Sequence, residues 1–128
     1  MRSHSLAIRV RYCECDPMGV AHHSVYPVWF EMGRTELLRA GGGRYRDLEA
    51  AGVFLVVVRL EVRYRRPARY DDELELITTL DEAGHVKIAH VYELRRSGEL
   101  LASGATTLAC VGRDGVVREL PDSLRLDR

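Results

Sequence analysis

The densest run of side chains able to do chemistry is Glu14-Cys15-Asp16-Pro17-Met18-Gly19-Val20-Ala21-His22-His23-Ser24-Val25-Tyr26. Ahead of it, Leu6 to Tyr12 alternates apolar and polar residues, the pattern of a half-buried strand. Behind it, from about Ser24 to Arg39, apolar residues return at every third and fourth position, the pattern of a helix. The cluster therefore lies on the loop that feeds a helix N-terminus. Such an end presents unpaired backbone N–H groups and the positive end of the helix dipole. Those donors suit an anion or a developing oxyanion. A carboxylate on the loop, Asp16, could attack a carbonyl or activate a water beside them. Position alone leaves the plainer roles open, a helix cap or a solvated turn acid.

Other chemistries find less support. Cys13, Cys15 and Cys110 are an odd set and read as reduced thiols. Neither Cys13 nor Cys15 has a helix start and a base of its own, so a cysteine nucleophile is disfavoured. No second Cys pair or His-x3-His spacing accompanies them, so no metal is expected. No glycine-rich phosphate loop is present, so nucleotide hydrolysis is not expected either. His22 and His23 could touch a substrate or simply be exposed or packed. Glu31 and Arg34 are one helical turn apart and read as a structural pair.

The elements that must position this loop follow from periodicity. In the helix, Val25, Trp29, Met32 and Gly33 form an apolar stripe widened by Tyr26, Phe30 and Leu37. Glu31, Arg34 and Arg39 are assigned to the opposite side. Ser24 is a candidate N-cap, Pro27 suits the first turn, and Gly41-Gly42-Gly43 ends the helix. Arg44 to Ala51 adds a short helical turn closed by Gly52. Beyond that the period is two. Val58 to Tyr64 is a strand and Pro67 to Asp72 a corner. Leu74 to Leu80 is a second strand, closed by a turn over 81–84. Val86 to Leu94 follows, then a Ser97-Gly98 hairpin. Leu100 to Val111 is apolar on both faces and reads as a central strand. Gly112 to Gly115 is a turn and Val116 to Glu119 a short edge strand. One helix followed by a run of strands is α+β with an antiparallel sheet of about five strands. One helix cannot cover both faces of such a sheet. The sheet should curl around it, and the chain should associate through an edge or an exposed face.

Composition bounds the rest. The 128 residues make one domain, taken as 1–128. Nineteen basic and 19 acidic residues balance, so no nucleic-acid partner is expected. The longest apolar run, Val53 to Val58, is too short to span a bilayer. The start, Met1-Arg2-Ser3-His4, lacks the apolar core of a signal peptide. A soluble, cytoplasmic protein is expected. Asn and Gln are absent and Lys87 is the only lysine. That fits a thermophile and equally a GC-rich coding sequence.

Two motifs carry a resemblance. The first is Asp16-Pro17-x-Gly19-Val20 with Tyr26, followed by Phe30-Glu31-x-x-Arg34-Thr35-Glu36. The second is Pro67-Ala68-Arg69-Tyr70-Asp71-Asp72-Glu73-Leu74, with Ala109-Cys110-Val111 later. In this order, over about Arg9 to Pro121, the sequence resembles the hot-dog-fold acyl-CoA thioesterases of the 4-hydroxybenzoyl-CoA thioesterase type, nearest the Tol–Pal-associated branch. The resemblance implies an antiparallel sheet wrapped around one long central helix. It implies hydrolysis of an acyl-CoA to a carboxylic acid and free CoA, with no cofactor beyond the CoA of the substrate. The family's catalytic roles fall on Asp16, as nucleophile or general base, on the backbone N–H of His23 as oxyanion donor, and on Gly19 as the small turn residue. Tyr26 matches the family tyrosine. Tyr26, Val57 and Val58 are the expected acyl lining. Arg59 and Lys87 stand for the cationic residues that could meet CoA phosphates, Arg59 within a cluster with Arg63, Arg65, Arg66 and Arg69. A homodimer or homotetramer with composite sites is implied. The sequence departs from the family pattern at Glu14, His22 and Val25, which bears on acyl preference. The rival readings are a hydratase or dehydratase on the same fold and a non-catalytic acyl-CoA-binding module.

Overall fold

The computed structural model describes residues 2–124. The outer limits of the expected domain, Met1 and 125–128, lie outside the described residues. Strand β1 (Ser3–Arg9) leads through the loop into helix α1 (Tyr26–Ala40) and a short helix α2 (Tyr45–Ala50). Four strands follow: β2 (Phe54–Tyr64), β3 (Glu73–Ala83), β4 (Lys87–Arg96) and β5 (Glu99–Val111). They form one antiparallel sheet in the order β1-β3-β4-β5-β2. The sheet curls around α1, as the periodicity and the resemblance imply.

Helix α1 is held because its inner side is large and apolar. Trp29 is 1% and Phe30 0% exposed. Burying an aromatic of that size stabilises by about 1.5–3 kcal/mol. Phe30 stacks flat on Tyr92 of β4 at 4.2 Å. Pro27 lies in the first turn, where its missing N–H costs nothing. At the far end Gly41 and Gly43 donate back to Leu37 and Leu38, and Gly42 takes a φ of +94°.

The helix approaches the sheet closely at two glycines. A Cβ at Gly33 would overlap Thr78 and Leu76 of β3. One at Gly104 of β5 would overlap the Phe30 ring and lie 2.8 Å from the Glu61 carbonyl oxygen.

Several expectations shift. The first strand begins at Ser3 and ends at Arg9. Val10 still pairs with the 71–72 corner, but Tyr12–Glu14 then turns as a 3-10 segment. Helix α1 starts at Tyr26 behind a 3-10 turn, His23–Val25. Ser24 is not the cap: His22 caps that turn, its Nδ1 accepting from the Ser24 N–H at 3.2 Å. β3 runs on to Ala83, because a bulge between Leu80 and Glu82 lets it keep pairing with β4. β5 is an interior strand, and β4 lies at the centre. Val116 to Glu119 is not a strand; only a Val111–Val117 bridge forms. Arg34, assigned to the polar side, is buried at 8% exposure. Its place on the wheel is next to Phe30 and Leu37, so the concave sheet covers it.

The loop before α1 is fastened by a buried acid. Glu14 accepts from the Arg11 N–H at 2.7 Å, from the Arg11 guanidinium at 3.2 Å and from the Trp29 indole N–H at 3.0 Å. Burial alone would push its carboxyl up; the Arg11 and Trp29 bonds outweigh that and hold it below the usual range.

Two stability tests follow. Gly104→Val should cost about 2 kcal/mol or more, since overpacking beneath a stacked ring cannot be relieved cheaply; denaturant titration reads it. Glu14→Gln should destabilise by about 1–3 kcal/mol at neutral pH. Because the folded carboxyl is depressed, its contribution is present above the unfolded glutamate value and is lost as pH falls through the lower folded value. The Gln variant should therefore show a flatter loss of stability with acid than the wild type.

Candidate active site

Asp16 sits near the tip of a tight loop. Its N–H donates to Val20 at 2.9 Å, and Cys15 bridges Ala21. The tip is Pro17-Met18-Gly19, with Gly19 at φ +78°. A left-handed conformation suits glycine, so a side chain there would be strained. The Met18 N–H donates to Asp16 Oδ1 at 2.9 Å. That bond orients the carboxylate; among the described residues nothing engages Oδ2. Asp16 itself is half-buried.

The second limb of the loop leads to the helix. The His22 N–H donates to the Glu14 carbonyl at 2.8 Å. His23 then opens the 3-10 turn that runs directly into α1. Its N–H is at the first position of that turn, where a donor has no partner within the turn. The Tyr64 hydroxyl donates to the His23 carbonyl at 2.9 Å and pins this end of the helix to β2. The two imidazoles are exposed and lie 4.1 Å apart.

The corner motif holds the same loop from the other side. The Ala21 N–H donates to the Ala68 carbonyl at 2.7 Å, and the Tyr70 N–H to the Gly19 carbonyl at 3.1 Å. Tyr26 is 3% exposed and its hydroxyl is hydrogen-bonded to the Ala68 backbone. Burial pushes the Tyr26 phenol up, with the Ala68 bond opposing. It packs on Trp29 at 5.1 Å and edge-on to Tyr64 at 4.9 Å. The two sequence motifs thus meet: one carries Asp16 and His23, and the other clamps the loop between them.

The remaining expected residues separate. Val57 pairs with Leu108 and Leu108 with Ile88, so Val57 faces the helix. There it lines a cavity of about 220 Å³ with Pro27, Val28, Glu31, Arg34 and Leu60. Val58 is the unpaired residue of a bulge between Val57 and Arg59. Arg59 pairs with Thr107, and Lys87 with Ala109, on the opposite face of the sheet. Arg59 and Lys87 are therefore not brought to the side that carries Val57. Arg59 and Arg63 both bond Glu61, at 3.1 and 3.0 Å, and Arg66 bonds Glu99 at 2.9 Å. Much of the arginine cluster is thus paired along its own strands. Glu31 and Arg34 form the expected pair, though a long one at 3.8 Å.

Sequence reasoning passed over a set of buried polar groups. Arg34, His90, Tyr92 and Thr106 are all buried beneath α1. The Tyr92 hydroxyl and Thr106 Oγ1 are 2.6 Å apart; burial pushes the Tyr92 phenol up, with Thr106 and the nearby Arg34 opposing. His90 and Tyr92 alternate with Val91 and share a strand face with Ile88 and Leu94. The available signal was that alternation, which puts polar atoms where a fully apolar core would need none. Among the described residues no group of three metal-ligating side chains is present. No helix there is long and apolar enough to cross a membrane.

The geometry has counterparts among known proteins. Residues 10–126 match the family described as the Thioesterase-like superfamily. Over 108 residues the chain is 33% identical to the putative acyl-CoA thioesterase YneP of Bacillus subtilis (strain 168), spanning 84% of this chain and 78% of that one. It resembles the crystal structure of a hypothetical protein, TT1821, from Thermus thermophilus, with TM-score 0.88 and 39% identity over 92% of this chain and 91% of that one. It also resembles a DHNA-CoA thioesterase from Staphylococcus aureus, with TM-score 0.87 and 31% identity, covering 100% of this chain and 83% of that one. With the sheet order, the wrapped helix and the two joined motifs, these matches make the chain a member of the Thioesterase-like superfamily, built on the hot-dog fold.

Proposed function

We propose that the protein is an acyl-CoA thioesterase that hydrolyses a thioester to a carboxylic acid and CoA, with Asp16 driving the attack. The observation that carries this is the loop itself. It holds Asp16 by one oxygen, through the Met18 N–H, and leads over seven residues into the helix start at His23. A thioester carbonyl between the two would meet a carboxylate on one side and a backbone N–H with a helix dipole on the other. Asp16 acts either as nucleophile, giving a mixed anhydride that water cleaves, or as base for the attacking water. In both routes the oxyanion of the tetrahedral intermediate is held at the His23 N–H; CoA leaves as the thiolate and takes its proton from water, or from the protonated Asp16 in the base route. Gly19 keeps the loop tip free of a side chain where the thioester approaches. The names of YneP and the Staphylococcus aureus enzyme support the same reaction.

The site extends to a second copy of the chain in this reading. β2 is a sheet edge and exposes Val56, Val57, Val58, Leu60 and Tyr64, each at 42–54%. An edge with that apolar content is a template for pairing. Tyr64 on this edge bonds His23, so a partner laid along β2 would border the helix start. The acyl group then enters beside Val57 and Val58, with buried Tyr26 supporting the wall from within. Arg59 and Lys87, on the outer face, meet the CoA phosphates. CoA is part of the substrate and no separate cofactor takes part. The reaction uses only water and soluble thioesters, in keeping with a cytoplasmic setting.

The test is release of free thiol from short, medium, long and aromatic acyl-CoAs. Wild type should turn over, and Asp16→Asn should lose about 100-fold or more in kcat while keeping its melting temperature. Thiol release unchanged in Asp16→Asn would remove Asp16 from the chemistry. CoA binding without turnover would favour a non-catalytic binding module. Sedimentation should give a dimer or tetramer, and a stable monomer would remove the composite site.

A further inference from the structure

A second, larger cavity of about 540 Å³ lies under the C-terminal half of α1. Its walls include Leu37, Leu38, Leu55, Leu80 and Ile88. Polar side chains line it too, three of which matter most here. Arg34 is 8% exposed and His90 3% exposed, and Tyr45 comes from α2. Arg34 also lines the smaller cavity that opens beside Val57 and Leu60. The guanidinium is thus the shared wall between the two spaces.

These polar groups are poorly satisfied. A buried guanidinium has five N–H donors and normally meets a carboxylate through a fork of two bonds. Arg34 has Glu31 at 3.8 Å, beyond hydrogen-bond range, and that carboxylate side chain is 70% exposed. Among the described residues its inner neighbour is Tyr92, close enough for the guanidinium to act on the phenol. His90 Nδ1 is buried with no hydrogen-bond partner among the described residues. Burial and the nearby Arg34 charge lower His90 to about 4, so it is neutral at pH 7. Burial likewise pushes the Tyr45 phenol up to about 12, so it keeps its proton. Among the described residues the charged lining of the cavity is Arg2, Arg34 and Arg44 against Asp47. The chamber is apolar along its walls, cationic in balance, and rich in donors at one place.

We propose that this chamber is a subsite for an acyl group ending in a carboxylate, so that the preferred substrate is the CoA monothioester of a dicarboxylic acid. Arg34 takes the distal carboxylate, with the Tyr45 hydroxyl as the adjoining donor and the His90 ring beside it. A carboxylate fits better than a methyl or a hydroxyl terminus. It supplies the missing counter-charge and two oxygens for the fork, whereas a hydroxyl brings one oxygen and a further donor. Reach agrees. Arg34 lies 11 residues beyond His23, roughly 16 Å along the helix; its long side chain tilts back toward the helix N-terminus, so a chain of about ten carbons approaches it. The substrate assignment rests on the thioesterase reading; the carboxylate subsite does not.

The experiment has two arms. In the first, the wild type is given decanoyl-CoA, ω-hydroxydecanoyl-CoA and the CoA monothioester of decanedioic acid. The carboxylate-terminated substrate should lead in kcat/KM by about tenfold or more, carried mainly by KM. Arg34→Met should abolish that ratio and Arg34→Lys should keep part of it. In the second arm, free decanedioate is titrated into the wild type while the His90 imidazole is followed by NMR, with decanediol as control. Decanedioate should shift His90 and raise its pKa, and decanediol should do neither. Equal or better turnover of decanoyl-CoA, with His90 unmoved by decanedioate, would overturn the subsite and leave the thioesterase intact. A His90 response without thiol release from any substrate would uphold the subsite and overturn the thioesterase. The wild-type ratio and the His90 titration decide the matter even if the Arg34 variants fold poorly.

Discussion

One constraint governs this molecule: a single helix must fill the concave face of a five-stranded sheet. Close contact at the middle of the helix makes that possible. Gly33 lets α1 settle onto Leu76 and Thr78, and Gly104 lets Phe30 lie flat between the helix and Tyr92. With the middle this tight, the curved sheet stands away from the helix toward the Val57 edge on one side and the α2 end on the other. The two cavities lie in those spaces, and Arg34 stands between them. Tight packing and open space are two consequences of one geometry.

The loop that carries Asp16 depends on the same helix. Glu14 ties it to Trp29, whose own ring is part of the core. Ala68 ties it to Tyr26 and to the corner after β2. A carboxylate that must meet a carbonyl to within a fraction of an ångström needs such a frame, because loss of position costs rate steeply. The loop is on the surface, but its anchors are buried. Glu14, a departure from the family pattern, thus does structural work two residues from Asp16.

The polar groups beneath α1 set the limits of a purely apolar description. A buried guanidinium with a distant counter-ion and an unpartnered imidazole nitrogen are costly unless something compensates them. Tyr92 and Thr106 compensate each other. Arg34 and His90 are compensated only in part. Such a place is where an incoming group of the right chemistry gains most.

Much of this was legible in the residues. Alternation located β2 to β4, a run apolar on both faces located β5, helical spacing located α1, and Gly41 to Gly43 located its end, because these patterns follow from local geometry. The Ser97-Gly98 turn was legible for the same reason, both residues taking positive φ. The loop that carries Asp16, Gly19 and His23 was legible as a turn between a strand and a helix start; the roles assigned to these residues came from the family resemblance. What local pattern could not supply was decided by contacts distant in sequence. Arg34 looked like a surface residue on the helical wheel and is buried, since the sheet wraps further around α1 than the apolar stripe alone implies. Ser24 looked like the cap, but His22 took that place because its backbone was already fixed against Glu14. Val116 to Glu119 read as a short edge strand, yet only a single bridge to β5 formed. The separation of Val57 from Arg59 and Lys87 turned on one bulge in β2, and a shift of one residue there reverses which face a side chain occupies. The sequence alone determined which elements exist and which loop bears the carboxylate, since both rest on neighbours along the chain. Only the tertiary structure decided which charges are buried and which faces are shared, since both depend on what the sheet meets when it closes.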